Sequence, residues 1–183
     1  AGTYLVAAAV TEGNLNIQNI IPEIIKTEIN ILKKIGSKII IKKNEVKIIG
    51  NKKIKSMNIK TAPYPGFPTD MQAQIMTLMS VANGASMITE TIFENRFMHV
   101  PELSRMGANL KLEGNTVVCK GVKYLSGANL MATDLRASAS LVLAGLAAQG
   151  SSSIERVYHL DRGYEMIEEN FKMLGADIER VQH

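Results

Sequence analysis

The chain carries one pattern of residues three times, and this repeat restricts its fold more than any other feature. In each copy a helix-like stretch ends at a glycine, a short β-like run follows, and a second helix-like stretch ends at another glycine. The glycine pairs are Gly13 and Gly36, Gly84 and Gly107, and Gly150 and Gly175. A repeat of about 70 residues is too long for the common solenoids and indicates three supersecondary units around one core.

The second and third copies also share polar residues at matching places. The Thr-Asp-Met run at 69–71 corresponds to the Thr-Asp-Leu run at 133–135, and Arg96 corresponds to Arg162. Matched positions of packed repeats face the same side of a domain. We therefore expect these polar side chains to gather in one region.

Length and composition fit a globular protein with one sizeable core. The chain has 183 residues, of which 46% are hydrophobic and 21% charged. No apolar run reaches the roughly 20 residues of a membrane span, so we expect no membrane segment. The single cysteine, Cys119, lies in a β-like run, which predicts a buried thiol. Because one cysteine cannot form an internal disulfide, a reducing compartment is expected. The chain begins at Ala1 within an element, as a piece of a longer protein would.

Positive charge is concentrated between Lys33 and Lys60, where ten lysines face one acidic residue, Glu45. One interpretation is a basic patch for nucleic acid. The other is a set of solvated strand faces, which we favour because no arginine or aromatic residue is interleaved there for base readout or stacking. We therefore expect no nucleic-acid partner.

Periodicity predicts an α/β fold in which each copy has the order β-α-β-α-β-β, over approximate repeats 1–60, 61–125 and 126–183 of a single domain 1–183. The first copy lacks its leading strand, and the third lacks its end. The predicted helices span 3–10, 23–35, 70–82, 101–106, 134–148 and 163–174. The predicted strands span 14–20, 38–41, 45–49, 54–59, 86–92, 109–113, 116–120, 152–158 and 177–181.

The helices at 70 and 134 have recognisable starts. Thr69 with Gln72 matches a capping box, and Thr133 takes the same place before the Ala-rich helix of the third copy. The segment 61–69 contains three prolines and a glycine, so it must be a loop before the first of these helices.

An anion site is one interpretation of these helix starts. Free N–H groups at helix N-termini attract anions, and Arg96, Arg136 and Arg162 lie near them in the sequence. Each residue taken alone also has a structural interpretation, as a helix cap or a surface ion pair. His99 and His159 have no second ligand at metal spacing, and no phosphate-binding loop or dinucleotide fingerprint is present, so no metal or cofactor is expected.

Four strings resemble the UDP-N-acetylglucosamine 1-carboxyvinyltransferases. They are PYPGFPTDMQ at 63–72, TIFENRFMHVPE at 91–102, ATDLRASAS at 132–140 and HLDRGYE at 159–165. That family transfers an enolpyruvyl group in the first committed step of bacterial peptidoglycan synthesis. The sister family, 5-enolpyruvylshikimate-3-phosphate synthase, shares the fold but not these strings.

The resemblance implies a two-domain enzyme of the bacterial cytoplasm that binds UDP-N-acetylglucosamine and phosphoenolpyruvate. Each domain is an inside-out α/β barrel of three β-α-β-α-β-β units with pseudo-threefold symmetry. The chain resembles most of one domain. The missing second domain would supply a cysteine proton donor, a lysine, an asparagine and further arginines. Cys119 does not match that cysteine, so the chain alone should lack turnover.

The resemblance also implies roles for residues that face the reacting groups. Asp70 would be the general base beside the sugar 3-hydroxyl, which attacks C2 of phosphoenolpyruvate. Arg96 and Arg136 would hold the carboxylate of phosphoenolpyruvate, and Arg162 would contact its phosphate. These cations would stabilise the developing negative charge.

Other residues would bind the UDP-sugar or support the site. Ile92 matches a residue that contacts the UDP-sugar, with Phe93 and Thr69 nearby. Asp134 would lie behind the residues that touch substrate, and the loop 63–68 would set the direction of Asp70. Two alternatives remain open beside this function: a non-catalytic module that binds anions or a UDP-sugar, and the sister synthase.

Overall fold

The computed structural model describes residues 1–182, and its secondary structure alternates helices with short strands. The helices are α1 (Gly2–Val10), α2 (Lys26–Lys34), α3 (Gln72–Met79), α4 (His99–Arg105), α5 (Leu135–Ala147) and α6 (Ile167–Met173). The strands are β1 (Asn14–Gln18), β2 (Lys38–Lys42), β3 (Glu45–Ile49), β4 (Ile59–Lys60), β5 (Ala85–Thr89), β6 (Asn109–Glu113), β7 (Thr116–Lys120), β8 (Asn129–Met131) and β9 (Ser153–Glu155). Short 3-10 turns cover Pro22–Ile25, Thr69–Met71 and Val157–Arg162.

Three helices, α1, α3 and α5, form the centre of the core and pack against one another. Nearly all residues of α1 and all of α3 are buried, in keeping with helices that are apolar on every side. Two of their buried hydroxyl groups bond within the helix: Thr77 Oγ1 donates to the Ala73 carbonyl and Ser140 Oγ to the Ala137 carbonyl. Buried hydroxyl groups are therefore paired without breaking the helix ladder.

The sheets lie around these helices. Strands β1, β3 and β2 pair antiparallel in that order. In the second sheet, of order β4-β5-β7-β6, β4 is parallel to β5 and the other pairs are antiparallel. Strands β8 and β9 form a short parallel pair. Helices inside and sheets outside are the arrangement that the resemblance implied.

The second unit has the complete predicted order, β4-α3-β5-α4-β6-β7. The predicted strands 45–49, 109–113 and 116–120 have the observed bounds. Cys119 is fully buried in β7 as predicted, and burial raises the pKa of its thiol. No helix in residues 1–182 is long and apolar enough to cross a membrane. The proposed repeat boundaries stay a prediction.

Two predicted strands are wrong. Over 54–59 only the end is a strand, since β4 begins at Ile59, while Ile54 faces the core from an extended segment. The segment 177–181 is described in full and contains no strand. The predicted helix at 23–35 is divided into a 3-10 turn and α2. The predicted helix at 163–174 begins only at Ile167, and α4 begins at His99 rather than at 101.

Close backbone packing at Gly121 leads to a stability prediction. Gly121 N–H donates to the Gly84 carbonyl, and an added Cβ would lie 1.5 Å from the Ala82 carbonyl oxygen. Gly121→Ala should therefore lower the free energy of unfolding by about 3 kcal/mol, because rigid backbone must move. Urea denaturation would measure it, with Gly114→Ala as the matched control.

The control separates steric overlap from the ordinary effect of replacing a glycine. Gly114 has a positive φ of 63°, but an added Cβ there meets nothing within 4 Å. Its replacement should cost about 1 kcal/mol through backbone strain alone. Equal losses in the two variants would contradict the steric argument.

Candidate active site

Asp70 and two arginines from different elements converge at one end of the core helices. Arg136 Nε donates to Asp70 Oδ1 at 2.6 Å, and Arg96 Nη1 lies 3.8 Å from the same oxygen. Asp70 lies in the 3-10 turn before α3, Arg96 lies before α4, and Arg136 lies in the first turn of α5. The predicted gathering of these three side chains is confirmed.

Arg96 is held from several sides. The Phe93 ring stacks on its guanidinium, with the Arg96 Cζ 4.0 Å from the ring centroid. Gln72 Nε2 donates to the Arg96 carbonyl at 3.2 Å. Arg96 Nη1 is buried and has no hydrogen-bond partner among residues 1–182. A buried cationic N–H without an acceptor is suited to an anionic ligand oxygen.

Asp134 sets the start of α5. Its Oδ1 accepts from the backbone N–H groups of Arg136 at 2.9 Å and Ala137 at 3.0 Å. Asp134 is thus the N-cap, and the prediction that Thr133 caps this helix is wrong. The aspartate positions the backbone of Arg136. Its place behind the residues that touch substrate stays a prediction.

The predicted capping box at Thr69 and Gln72 is also wrong. Thr69 Oγ1 donates to Glu90 Oε1 at 2.7 Å, and Gln72 Nε2 donates to the same oxygen at 3.1 Å. The backbone N–H of Ile92 donates to Glu90 Oε2 at 3.0 Å. Thr69, Ile92 and Phe93 therefore lie beside the cluster, linked through a carboxylate that sequence reasoning missed.

Arg162 is not part of this cluster. It lies at the exposed end of the turn Val157–Arg162, and within residues 1–182 it forms no ion pair with Asp70. Its proposed contact with phosphate stays a prediction. The loop 63–68 is an ordered turn, in which Gly66 N–H donates to the Pro63 carbonyl.

A narrow cleft opens between the starts of α3, α4 and α5. The lining residues come from all three helix starts and include a buried histidine; they are Thr69, Gln72, Ala73, Arg96, His99, Asp134, Arg136 and Ala137. No group of three or more potential metal ligands is present in the described part of the chain. The cleft therefore offers the guanidinium groups of Arg96 and Arg136, to which an anion can bind.

His99 in this cleft gives a prediction about acid stability. Its side chain is 2% exposed, and burial lowers its pKa from 6.5 to about 4 despite the opposing effect of Asp134. Between these pH values the unfolded chain binds a proton that the folded chain does not. The free energy of unfolding should therefore decrease by about 3 kcal/mol in total as the pH is lowered from 6.5 to about 4.

Chemical denaturation at pH 7, 6, 5 and 4 would measure this slope. His99→Gln should flatten it, because the titrating group is removed. His159→Gln, at a partly exposed position, should keep it. Identical slopes in the two variants would show that folding does not lower the pKa of His99.

The sequence held a weak signal for Glu90 and none for the environment of His99. Glu90 is a single acid directly after the half-apolar strand β5, where a carboxylate needs buried partners. The burial of His99 depends on the packing of α4. The position of His99 three residues after Arg96 gave no indication of that burial.

Solved structures that superpose on this chain include an enolpyruvyl transferase and an EPSP synthase. The enolpyruvyl transferase NikO from Streptomyces tendae superposes with a TM-score of 0.86 at 29% identity, over 97% of this chain and 42% of that chain. EPSP synthase from Acinetobacter baumannii superposes with a TM-score of 0.71 at 18% identity, which supports the fold alone. The inside-out arrangement is therefore the enolpyruvyl transferase fold.

The chain belongs to the EPSP synthase (3-phosphoshikimate 1-carboxyvinyltransferase) family, whose profile matches residues 1–171. It is 64% identical over 181 residues to the UDP-N-acetylglucosamine 1-carboxyvinyltransferase of Pelagibacter ubique, covering 99% of the chain and 43% of that protein. It is also 64% identical over 183 residues to the enzyme of that name from Ruthia magnifica, covering 44% of it. The chain thus spans less than half the length of these curated relatives.

Proposed function

We propose that the chain forms one domain of a two-domain enzyme that transfers the enolpyruvyl group of phosphoenolpyruvate to the 3-hydroxyl of UDP-N-acetylglucosamine. The observation that carries this proposal is the convergence of Arg96 and Arg136 on one carboxylate oxygen of Asp70. The same two guanidinium groups can bind the carboxylate of phosphoenolpyruvate beside a carboxylate base. The enzyme would act in the bacterial cytoplasm.

The reaction would take place in two steps. The sugar 3-hydroxyl attacks C2 of phosphoenolpyruvate, its proton passes to the Asp70 carboxylate, and C3 gains a proton from a donor outside this chain. The product is a tetrahedral ketal. Loss of a proton from C3 then restores the C2–C3 double bond as phosphate leaves, which gives the enol ether. Arg96 and Arg136 would stabilise negative charge throughout.

UDP-N-acetylglucosamine as the acceptor substrate is supported by the high sequence identity to relatives named for it. Identity is 64% to relatives named for UDP-N-acetylglucosamine and 18% to the solved EPSP synthase. Ile92 and the exposed Phe93 ring lie at the edge of the cluster, where the resemblance assigns contacts with the UDP-sugar.

The test is release of inorganic phosphate by the complete protein that contains this chain. It would receive phosphoenolpyruvate with either UDP-N-acetylglucosamine or shikimate 3-phosphate. Release only with the UDP-sugar would support the proposal. Release only with shikimate 3-phosphate would assign the sister reaction, and release with neither would favour a non-catalytic module that binds anions.

A further inference from the structure

We infer that Glu90 is a positioning residue that holds three separate parts of the site in register through one buried carboxylate. The inference rests on the proposed function for its kinetic part, while its structural part can be tested independently. Glu90 follows β5 directly, and its side chain is 3% exposed. It does not line the cleft, so it acts through other residues rather than on substrate.

The first part held by Glu90 is the segment that carries Asp70. Glu90 Oε1 accepts from Thr69 Oγ1 at 2.7 Å. Thr69 directly precedes Asp70 in a 3-10 turn whose N-cap, Pro68, has no side-chain hydrogen bond. The hydroxyl bond to Glu90 therefore anchors the turn that leads into α3.

The second part is the loop of Ile92 and Phe93. Glu90 Oε2 accepts from the backbone N–H of Ile92 at 3.0 Å and from that of Phe93 at 3.4 Å. Through these bonds the backbone of the loop is held against the Glu90 carboxylate. The same oxygen accepts from Thr61 Oγ1 at 2.8 Å, which ties the loop to the segment after β4.

The third part is Arg96, which Glu90 reaches through Gln72. Gln72 Nε2 donates both to Glu90 Oε1 at 3.1 Å and to the Arg96 carbonyl at 3.2 Å. The carboxylate fixes the orientation of this amide, since its nitrogen must face Oε1. The backbone of Arg96 is thereby held beside Asp70.

Ionisation of Glu90 is required because every group that faces it is a donor. Burial raises the pKa of Glu90, but the hydrogen bonds from Thr69, Ile92, Thr61 and Gln72 outweigh it and leave the pKa below its ordinary value. The residue is therefore an acceptor at neutral pH. A neutral amide of the same shape would present an N–H₂ group to at least one of these donors.

The kinetic test compares Glu90→Gln and Glu90→Asp in the complete enzyme. Glu90→Gln should lower kcat/KM about 10- to 100-fold, because small displacements of reacting groups are costly. Glu90→Asp keeps the charge but is one methylene shorter, so it should also lower kcat/KM. Glu113→Gln, at the exposed end of β6, removes a carboxylate away from the site and should leave the kinetics unchanged.

The structural test uses NMR of the complete enzyme labelled with ¹⁵N at isoleucine and phenylalanine. In Glu90→Gln the amide signals of Ile92 and Phe93 should shift, and their hydrogen exchange should accelerate about tenfold. The amide of Ile88, paired within the β5 ladder, is the internal control. Unchanged signals of Ile92 and Phe93 would overturn the inference.

A merely structural role for Glu90 gives a different pattern. It would lower the melting temperature of Glu90→Gln while kcat/KM stayed at the wild-type value, and that result would overturn the inference. Wild-type kinetics in Glu90→Asp would do the same. If the wild-type enzyme released no phosphate with either acceptor, the proposed function would fail, and the amide signals would still report on the three-part contact.

Discussion

Asp70→Asn should lower kcat of the complete enzyme by about a thousandfold, because a general base is removed while the size of the side chain is kept. The structure adds a second expectation. Asp70 contacts Arg136 and lies near Arg96, so its carboxylate competes with an incoming anion for the same guanidinium groups. The KM for phosphoenolpyruvate should therefore stay constant or fall. Steady-state phosphate release would measure both constants.

The control for this variant is Asp177→Asn, which changes an exposed aspartate in a different segment. It should leave kcat and KM unchanged. A normal kcat in Asp70→Asn would exclude Asp70 as the base. A large rise in KM with a normal kcat would instead make Asp70 a binding residue.

In the second unit, periodicity predicted the existence and order of the elements from β5 to β7. Strands β6 and β7 have the predicted bounds, and the helix predicted at 70–82 is present as α3, which begins two residues later after a 3-10 turn. These elements lie between glycines and turns that the sequence makes visible. Local signals and tertiary packing agree there, which is the condition under which sequence reasoning works.

The wrong strand at 54–59 shows the limit of that reasoning. Ile54 and Ile59 are both buried, so the apolar pattern was real. The backbone between them bonds to scattered partners instead of one strand: Lys55 N–H donates to the Ile35 carbonyl and Ser56 N–H to the Asn83 carbonyl. Pattern alone cannot distinguish an extended segment from a strand with a continuous partner.

The prediction of a capping box at Thr69 and Gln72 was wrong for an electrostatic reason. The Thr-Asp-Met-Gln sequence at 69–72 has the letters of a capping box, but both polar side chains donate to Glu90. An ionised acceptor in a buried site forms stronger hydrogen bonds than a backbone group does. The position of Glu90 beside Thr69 results from the parallel pairing of β4 with β5, which no local window reveals.

The sequence made three charged residues of the site predictable. The hydrogen bonds of Glu90 that support them could not be predicted. Asp70, Arg96 and Arg136 came from repeat matching and from the resemblance, and the structure brings them together. Arg96 and Arg162 match in the sequence repeat but do not lie in the same cluster, because Arg162 is exposed at the end of a turn. Equivalent places in a repeat need not carry equivalent side-chain contacts.

Arg96→Lys should raise the KM for phosphoenolpyruvate about 100-fold in the complete enzyme. Arg96 Nη1 is buried without an acceptor among residues 1–182, and the Phe93 ring fixes the guanidinium plane. A lysine keeps the charge but cannot offer two parallel N–H groups or the same stacking face. The loss corresponds to one charge-assisted hydrogen-bonding group.

The matched control is Arg105→Lys, since Arg105 is an exposed arginine at the end of α4 that pairs with Glu102. It should leave the KM unchanged. The two substrates distinguish the assigned roles further: in Arg96→Lys the KM for UDP-N-acetylglucosamine should change less than that for phosphoenolpyruvate. An equal rise for both substrates would mean that Arg96 supports the whole cleft, because a direct contact with the phosphoenolpyruvate carboxylate affects that substrate first.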